Sequence, residues 1–486
     1  MVYVKFNFIF NLIIHYMSAV IPHSLVLKEE NLPLPCVFQR RKYESSEGVV
    51  QGGSIAKIFI PSGRNQFING KNSWLNFTLV GNLEGTDLPS TQGGGTNTYS
   101  IRLDPMGLTQ AIKKITVRNG AGGNTVYELD NYAKAVSMLT VAGANATTSN
   151  VRALTSSGAY LNSGQFSSLV GSPLYRIGPL RDTQKSADGT SVTTGQYGCS
   201  IPLLGLLGNC NIPICHITEG LEISIEFERD VNQLFYGGNY TGSGNTPTIT
   251  GGTMTMSNIS YEGAVTTLDD ASMKEVDSAN KFKSSPVMWS DNYHILHNRT
   301  FTSEELATEQ DVNLIVPSMR YTSLNAIYHA CYQMKSPTNK TIYPLGVPHI
   351  GVNKIRYRIG GIEHPRNYVD TLSKMVQNTQ GCSTNVNQAS VSGLMSGSDT
   401  AINYRPPPDS YGDTITFVDR GVVGVNFECF PDIDSIAGLD TTHVDCECQF
   451  GLSGDTANSQ NLEFWWMGQL DVVYVLEDGQ LRRSFN

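Results

Sequence analysis

The chain has 486 residues, too long for a single hydrophobic core, so two or three domains are expected. Charged residues make up 16 %, below the roughly 25 % usual for soluble domains, and a net charge of −9 argues against a dedicated polyanion binder. The nine cysteines, an odd number scattered from Cys36 to Cys448, do not resemble a secreted disulfide framework. They read as reduced thiols in a protein made and assembled inside a cell.

In chain order, Phe6 to Ile14 is apolar but too short to span a bilayer. An upstream extension or flexible arm is the first reading; a signal-peptide core after Lys5 and a membrane-touching segment are the others. Met17 offers a second start. Ile55 to Ile60 predicts a strand closed by Pro61. Leu75, Phe77 and Leu79 then alternate with Trp74, Asn76, Thr78 and Val80, the period of a sheet with one buried face. Ile115 to Arg118 predicts a strand, Gly120 to Gly123 a turn, and Tyr127 to Leu139 a helix. Glu222 to Phe227 places Ile223, Ile225 and Phe227 on one face. A charged stretch near 265–300 marks a boundary. Beyond it, Ile355 to Arg358 leads through Gly360 and Gly361 to a second expected helix, Arg366 to Gln377. Val423, Val425, Phe427 and Cys429 share a strand face, and Val472 to Leu476 forms a late strand. Polar loops near 82–100, 141–165, 184–198, 237–254 and 378–402 are expected as exposed decoration. The strand–glycine–helix unit occurs twice, roughly 240 residues apart, which suggests tandem duplication. The expected division is an extension over 1–50, a first unit over 51–280 and a second over 281–486.

Motifs for chemistry are missing. The only Gly-Lys is Gly70-Lys71, with Asn65 where a phosphate loop would begin. There is no G-x-S-x-G, H-E-x-x-H or G-x-G-x-x-G. His443-x-x-Cys446-x-Cys448 invites a zinc reading, but strand parity turns His443 away from the thiols, whose face reads as core. Cys210, Cys215 and His216 cluster in a turn with no fourth ligand nearby. Lys354, Arg356 and Arg358 form a basic stripe, read first as a solvated or subunit-facing sheet and second as a phosphate-contacting surface. Arg40-Arg41-Lys42 and Arg482-Arg483 read as solubilising, with weak contact to packaged genome as the alternative. Six sequons, at Asn76, Asn145, Asn239, Asn258, Asn298 and Asn339, matter only in a secretory pathway. No catalytic, cofactor-binding or metal-ligating residue is nominated, and no enzyme is expected.

One run carries a resemblance. It reads Ile201 to Gly208 (IPLLGLLG), Ile212-Pro213-Ile214, Gly220 to Phe227 and, after a polar loop, Ser257 to Gly263 (SNISYEG). It resembles the late part of the first barrel in double jelly-roll major capsid proteins, the lineage of adenoviruses, virophages and polinton-like viruses. Ile60-Pro61-Ser62 to Asn72-Ser73-Trp74-Leu75 is similar to the opening strands. Tyr357 to Gly361 with His364-Pro365, Ala437 to Thr441, and Gln469 to Leu481 are similar to parts of the second barrel. The resemblance covers about residues 50–485, and polinton-like or virophage-like members come first. It implies an all-β fold of two tandem eight-stranded jelly-roll sandwiches, with few short helices and long loops. It further implies homotrimers of pseudo-hexagonal outline in an icosahedral virion shell, where partners are further copies, penton proteins and minor capsid proteins. The loops near 82–100, 141–165 and 237–254 would then be outer or interlocking segments. A secreted carbohydrate-binding or adhesion module is the rival, since it explains the sequons and the apolar start but not the odd cysteines. A β-sandwich hydrolase stands third.

Overall fold

The computed structural model describes residues 36–86, 99–103, 107–143, 184–185, 191–194, 196–239, 248–280, 287–316, 319–333, 352–382, 422–428, 438–453 and 461–484. Of the expected loops, residues 87–98, 144–165, 240–247 and 383–402 lie outside these residues, as do Phe6–Ile14, Met17 and Cys429. The expected loop at 184–198 instead carries short strands at Gln184–Lys185 and Ser191–Thr193, and 248–254 belongs to the strand Thr248–Leu268, because these segments pair with neighbouring strands.

Sixteen strands carry the fold. In the first half they are β1 (Cys36–Glu44), β2 (Ile55–Ile60), β3 (Gln66–Thr86), β4 (Ile112–Asn119), β5 (Thr125–Asp130), β6 (Tyr197–Ile201), β7 (Leu221–Phe227) and β8 (Thr248–Leu268). The second half holds β9 (Val287–Phe301), β10 (Glu309–Ile315), β11 (Leu324–Gln333), β12 (Val352–Ile359), β13 (Ile362–Val369), β14 (Val422–Asn426), β15 (Cys446–Ser453) and β16 (Leu462–Glu477). Shorter strands, among them Val49–Gln51 and Gln480–Ser484, extend the sheets.

The sheet orders repeat. One sheet of the first half runs β1-β8-β3-β6 and the other β2-β7-β4-β5; the second half gives β9-β16-β11-β14 and β10-β15-β12-β13. Each strand thus has its counterpart eight strands later, and all these pairings are antiparallel. Two four-stranded sheets in this order make an eight-stranded jelly roll, so the chain is two jelly rolls in tandem.

Alternation explains the layers. In β2, Ala56, Ile58 and Ile60 are buried, while Ile55, Lys57 and Phe59 face outward. In β3, Leu75, Phe77 and Leu79 are buried and their neighbours half-buried, as the period predicts. β7 and β16 lie centrally and are buried along nearly their full length.

The β4–β5 and β12–β13 turns also correspond. Gly120 has φ 55° and Gly360 φ 57°, the left-handed region that a side chain disfavours. A helix follows each pair: α1 (Tyr132–Gly143) and α3 (Leu372–Gly381), with α2 (Asp270–Asn280) between the halves. Here the structure corrects the sequence. The expected helix at Tyr127 starts only at Tyr132, because Thr125–Asp130 pairs with β4. Likewise Arg366–Val369 belongs to β13, and α3 starts at Leu372. The tip of the sequence-defined extension is also sheet: β1 pairs with β8 from Cys36 to Glu44.

The two sandwiches touch along a polar seam. Lys134 on α1 pairs with Glu463 Oε2 at 2.8 Å and sits 3.9 Å from the Trp465 ring centroid. Asn119 Nδ2 donates to the Leu481 carbonyl, and its Oδ1 accepts from Leu481 N at 3.2 Å. Tyr293 OH donates to the Glu128 carbonyl and accepts from Arg483 Nη1 at 2.7 Å. Asn209 Nδ2 donates to Asp291 Oδ1 at 3.2 Å.

Candidate assembly surfaces

The outer face of each β2-type sheet carries rows of side chains running across the strands, one per strand. In the first sandwich Phe59, Glu222 and Arg118 lie side by side on β2, β7 and β4, in register. In the second, Ile315, Glu447 and Arg358 occupy the same places on β10, β15 and β12. The two rows therefore read alike: an exposed apolar residue on the edge strand, then a glutamate, then an arginine. The ion pairs measure 3.9 Å (Arg118 Nη1 to Glu222 Oε1) and 3.7 Å (Arg358 Nη1 to Glu447 Oε2). Phe59 is 48 % exposed and Ile315 54 %. Each arginine stands two residues before its left-handed glycine.

The basic stripe of β12 does not stand free. Lys354 Nζ lies 2.8 Å from Asp311 Oδ1, reaching it across Gly451, which has no side chain to block the way. Arg356 contacts Glu363 Oε1 at 2.8 Å, donates from Nε to Gln449 Oε1 at 2.7 Å, and covers the Tyr368 ring at 4.0 Å. Carboxylates of the adjoining strands thus neutralise the stripe, which suits a protein surface better than a phosphate chain. The basic clusters near the ends are also built in: Arg40 stacks 3.9 Å over Trp74, and Arg41 Nη1 donates to Gln66 Oε1 at 3.0 Å.

The Cys446–Cys448 pair falls where strand parity puts it. Cys446 and Cys448 are buried on β15 while His443 is exposed, and Trp466 Nε1 donates to Cys448 Sγ at 3.2 Å. Burial pushes the Cys446 thiol up to about 12. Cys210 is buried and Cys215 half-buried; His216 Nε2 lies 3.0 Å from Asp277 Oδ1 on α2. The eight described cysteines carry no disulfide. Among the described residues no group of three or more His, Cys, Asp or Glu is placed to hold a metal ion. The Asn76 sequon sits in β3, with Nδ2 donating to Glu262 Oε2 at 3.3 Å and Oδ1 accepting from Ser200 Oγ at 2.6 Å.

Sequence reading missed the paired rows and the seam. Arg118 and Arg358 carried a signal, the same distance ahead of matching glycines. Phe59 and Ile315 carried none, because exposure of an apolar residue at a strand end depends on which sheet face it takes.

Neither a protein-family model nor a curated protein sequence matches the chain. Solved structures do. A chain in the cryo-EM structure of the Sputnik virophage matches with a TM-score of 0.56 at 10 % identity, over 94 % of this chain and 89 % of that one. The crystal structure of the mavirus major capsid protein matches with a TM-score of 0.52 at 10 % identity, over 94 % and 93 %. Across both halves the strand order and these likenesses agree: this chain has the double jelly-roll fold of the mavirus major capsid protein.

Proposed function

We propose that the chain is a viral major capsid protein, a structural subunit that assembles into trimeric, pseudo-hexagonal capsomers of an icosahedral virion shell. The observation that carries this is the repeated strand order. Two sandwiches of one connectivity give three chains six similar corners, so a three-fold particle fills a near-hexagonal lattice. The mavirus protein of the same fold is a major capsid protein by name, which supports the reading. The partners are further copies of the chain, with penton and minor capsid proteins completing the shell. The chain divides near residue 280, with 51–280 and 281–486 as the two wall units. No residue is assigned a chemical step, and the work of the molecule is geometric.

Light scattering on the purified chain tests this. A trimer is expected, and it should persist on dilution and in high salt, since an obligate interface of this kind typically buries more than about 2,000 Å² and apolar burial is not screened by ions. Imaging should show compact particles of three-fold or pseudo-hexagonal outline. A stable monomer that binds a glycan array would overturn the proposal in favour of an adhesion module.

A further inference from the structure

The IPLLGLLG run at 201–208, conspicuous in the sequence, leads to the place where the two sandwiches meet. We infer that residues 206–210 form an acid-tightened latch, which holds the second sandwich firmly while the Asp291 carboxyl carries a proton and loosens when that proton leaves. This goes beyond the capsid reading and does not depend on assembly.

The segment is fixed from the side of its own sandwich. Leu206–Asn209 forms one helical turn, with Leu206 and Leu207 buried. β3 passes so close that a Cβ at Gly70 would stand 2.9 Å from the Cys210 carbonyl, and Gly70 N donates to that carbonyl at 2.9 Å. Tyr261 OH donates to the Leu207 carbonyl at 3.3 Å. Toward the second sandwich the segment offers an amide and a thiol. Asn209 Nδ2 donates to Asp291 Oδ1 at 3.2 Å, and Cys210 Sγ lies beside the same carboxyl. Asp291 Oδ2 is covered and has no hydrogen-bond partner among the described residues.

Charge decides when the latch holds. An ionised carboxylate that faces an amide and a thiol is poorly compensated. Lys71, the cation that reaches it, is exposed and acts more weakly than Asn292, Asn209 and Cys210. Burial keeps the Cys210 thiol and the Tyr127, Tyr293 and Tyr474 phenols protonated, and Arg483, which acts on Tyr127, stays charged. His294 takes the other face of β9, where burial pushes it down to about 4. Asp291, pushed up to about 6 by burial, is therefore the member of this cluster that changes charge near neutrality. Its value in the closed latch lies above the ordinary carboxylate value near 4, so opening releases a proton. The latch is tight below about pH 4 and loosens up to about pH 6. Opening should grow about tenfold per pH unit across that window, and about a hundredfold in all.

Cys210 reports the latch, since its thiol is buried there. The full chain is treated with a dithiodipyridine across that pH range and beyond it. Labelling of each thiol is read by peptide mass and divided by the rate for free cysteine at the same pH. Cys199, buried in β6, is the reference for unfolding of the first sandwich. Relative to Cys199, labelling of Cys210 should rise about a hundredfold from about pH 4 to just above 6 and then level off. Asp291→Asn should abolish the rise. Asn209→Ala, which removes an amide that favours the ionised form, should carry the plateau to higher pH. A Cys210 profile that is flat in pH, or that runs parallel to Cys199, would overturn the inference. So would a wild-type profile in Asp291→Asn. Should that variant fail to fold, a plateau left unmoved in Asn209→Ala overturns the inference by itself.

Discussion

Asp291 is the residue whose placement has the sharpest consequence. It lies on β9 in the seam, half-buried beside Trp289, Tyr474 and Cys210 with its Oδ2 covered, and Asn209 donates to it. Burial pushes its carboxyl up to about 6, against the pull of the Asn292 backbone, Asn209, Cys210 and Lys71. The folded value lies above the ordinary carboxylate value, so folding takes up a proton between about pH 4 and 6. The stability of the protonated form is complete below pH 4 and lost as pH rises through 6. Asp291→Asn should therefore flatten this slope and raise stability at pH 7.5 by roughly 2–3 kcal/mol, measured by denaturant titration at several pH values. A variant with the wild-type slope would assign the pH dependence elsewhere. Nothing in the local sequence Trp289-Ser290-Asp291-Asn292 announces this burial. It arises because the other sandwich covers a strand edge that would otherwise face water.

At the scale of elements, strands with one wet face were legible and strands with polar or charged faces were not. Ile55–Ile60 and Leu75–Val80 alternate cleanly because one side packs on the core. Tyr127–Asp130 and Arg366–Val369 read as helix starts because they run directly into the helical patterns that follow, and strand pairing in the sheets of β4 and β12 claims them instead. β1 went unseen for a related reason. Its Arg40-Arg41-Lys42 run resembles a solubilising tail, yet charge on an edge strand is a common guard against unwanted pairing. β1 is the outermost strand of its sheet and covers the edge of β8 from Leu268 to Ser260. A chain beginning at Met17 should fold as well as the whole. One beginning at residue 46 should expose that edge, lower the melting temperature and lose soluble protein. Equal solubility of the two truncations would show that β1 is dispensable.

For the whole molecule, the seam decides whether two sandwiches behave as one body. Burial pushes the Lys134 ammonium below its usual value, opposed by Glu463, which holds it charged between the Trp465 and Tyr332 rings. Losing either partner leaves the other poorly compensated. Lys134→Ala and Glu463→Ala should each cost about 1–3 kcal/mol, and a double-mutant cycle should return a coupling above about 1 kcal/mol. Additive costs would mean that packing, not the pair, holds α1 to β16. The duplicated architecture was legible from the repeated strand–glycine–helix unit; the seam was not, because its partners stand hundreds of positions apart. That separation has a consequence in time. Asn119, buried in the first sandwich, finds its hydrogen-bond partner at Leu481, 362 positions further on. At about 5–20 residues per second, a ribosome reaches that partner roughly 20–70 s after it has made Asn119. Throughout that interval the first sandwich emerges with the Asn119 amide wet, and the nascent chain seals its own middle only once codon 481 has been read.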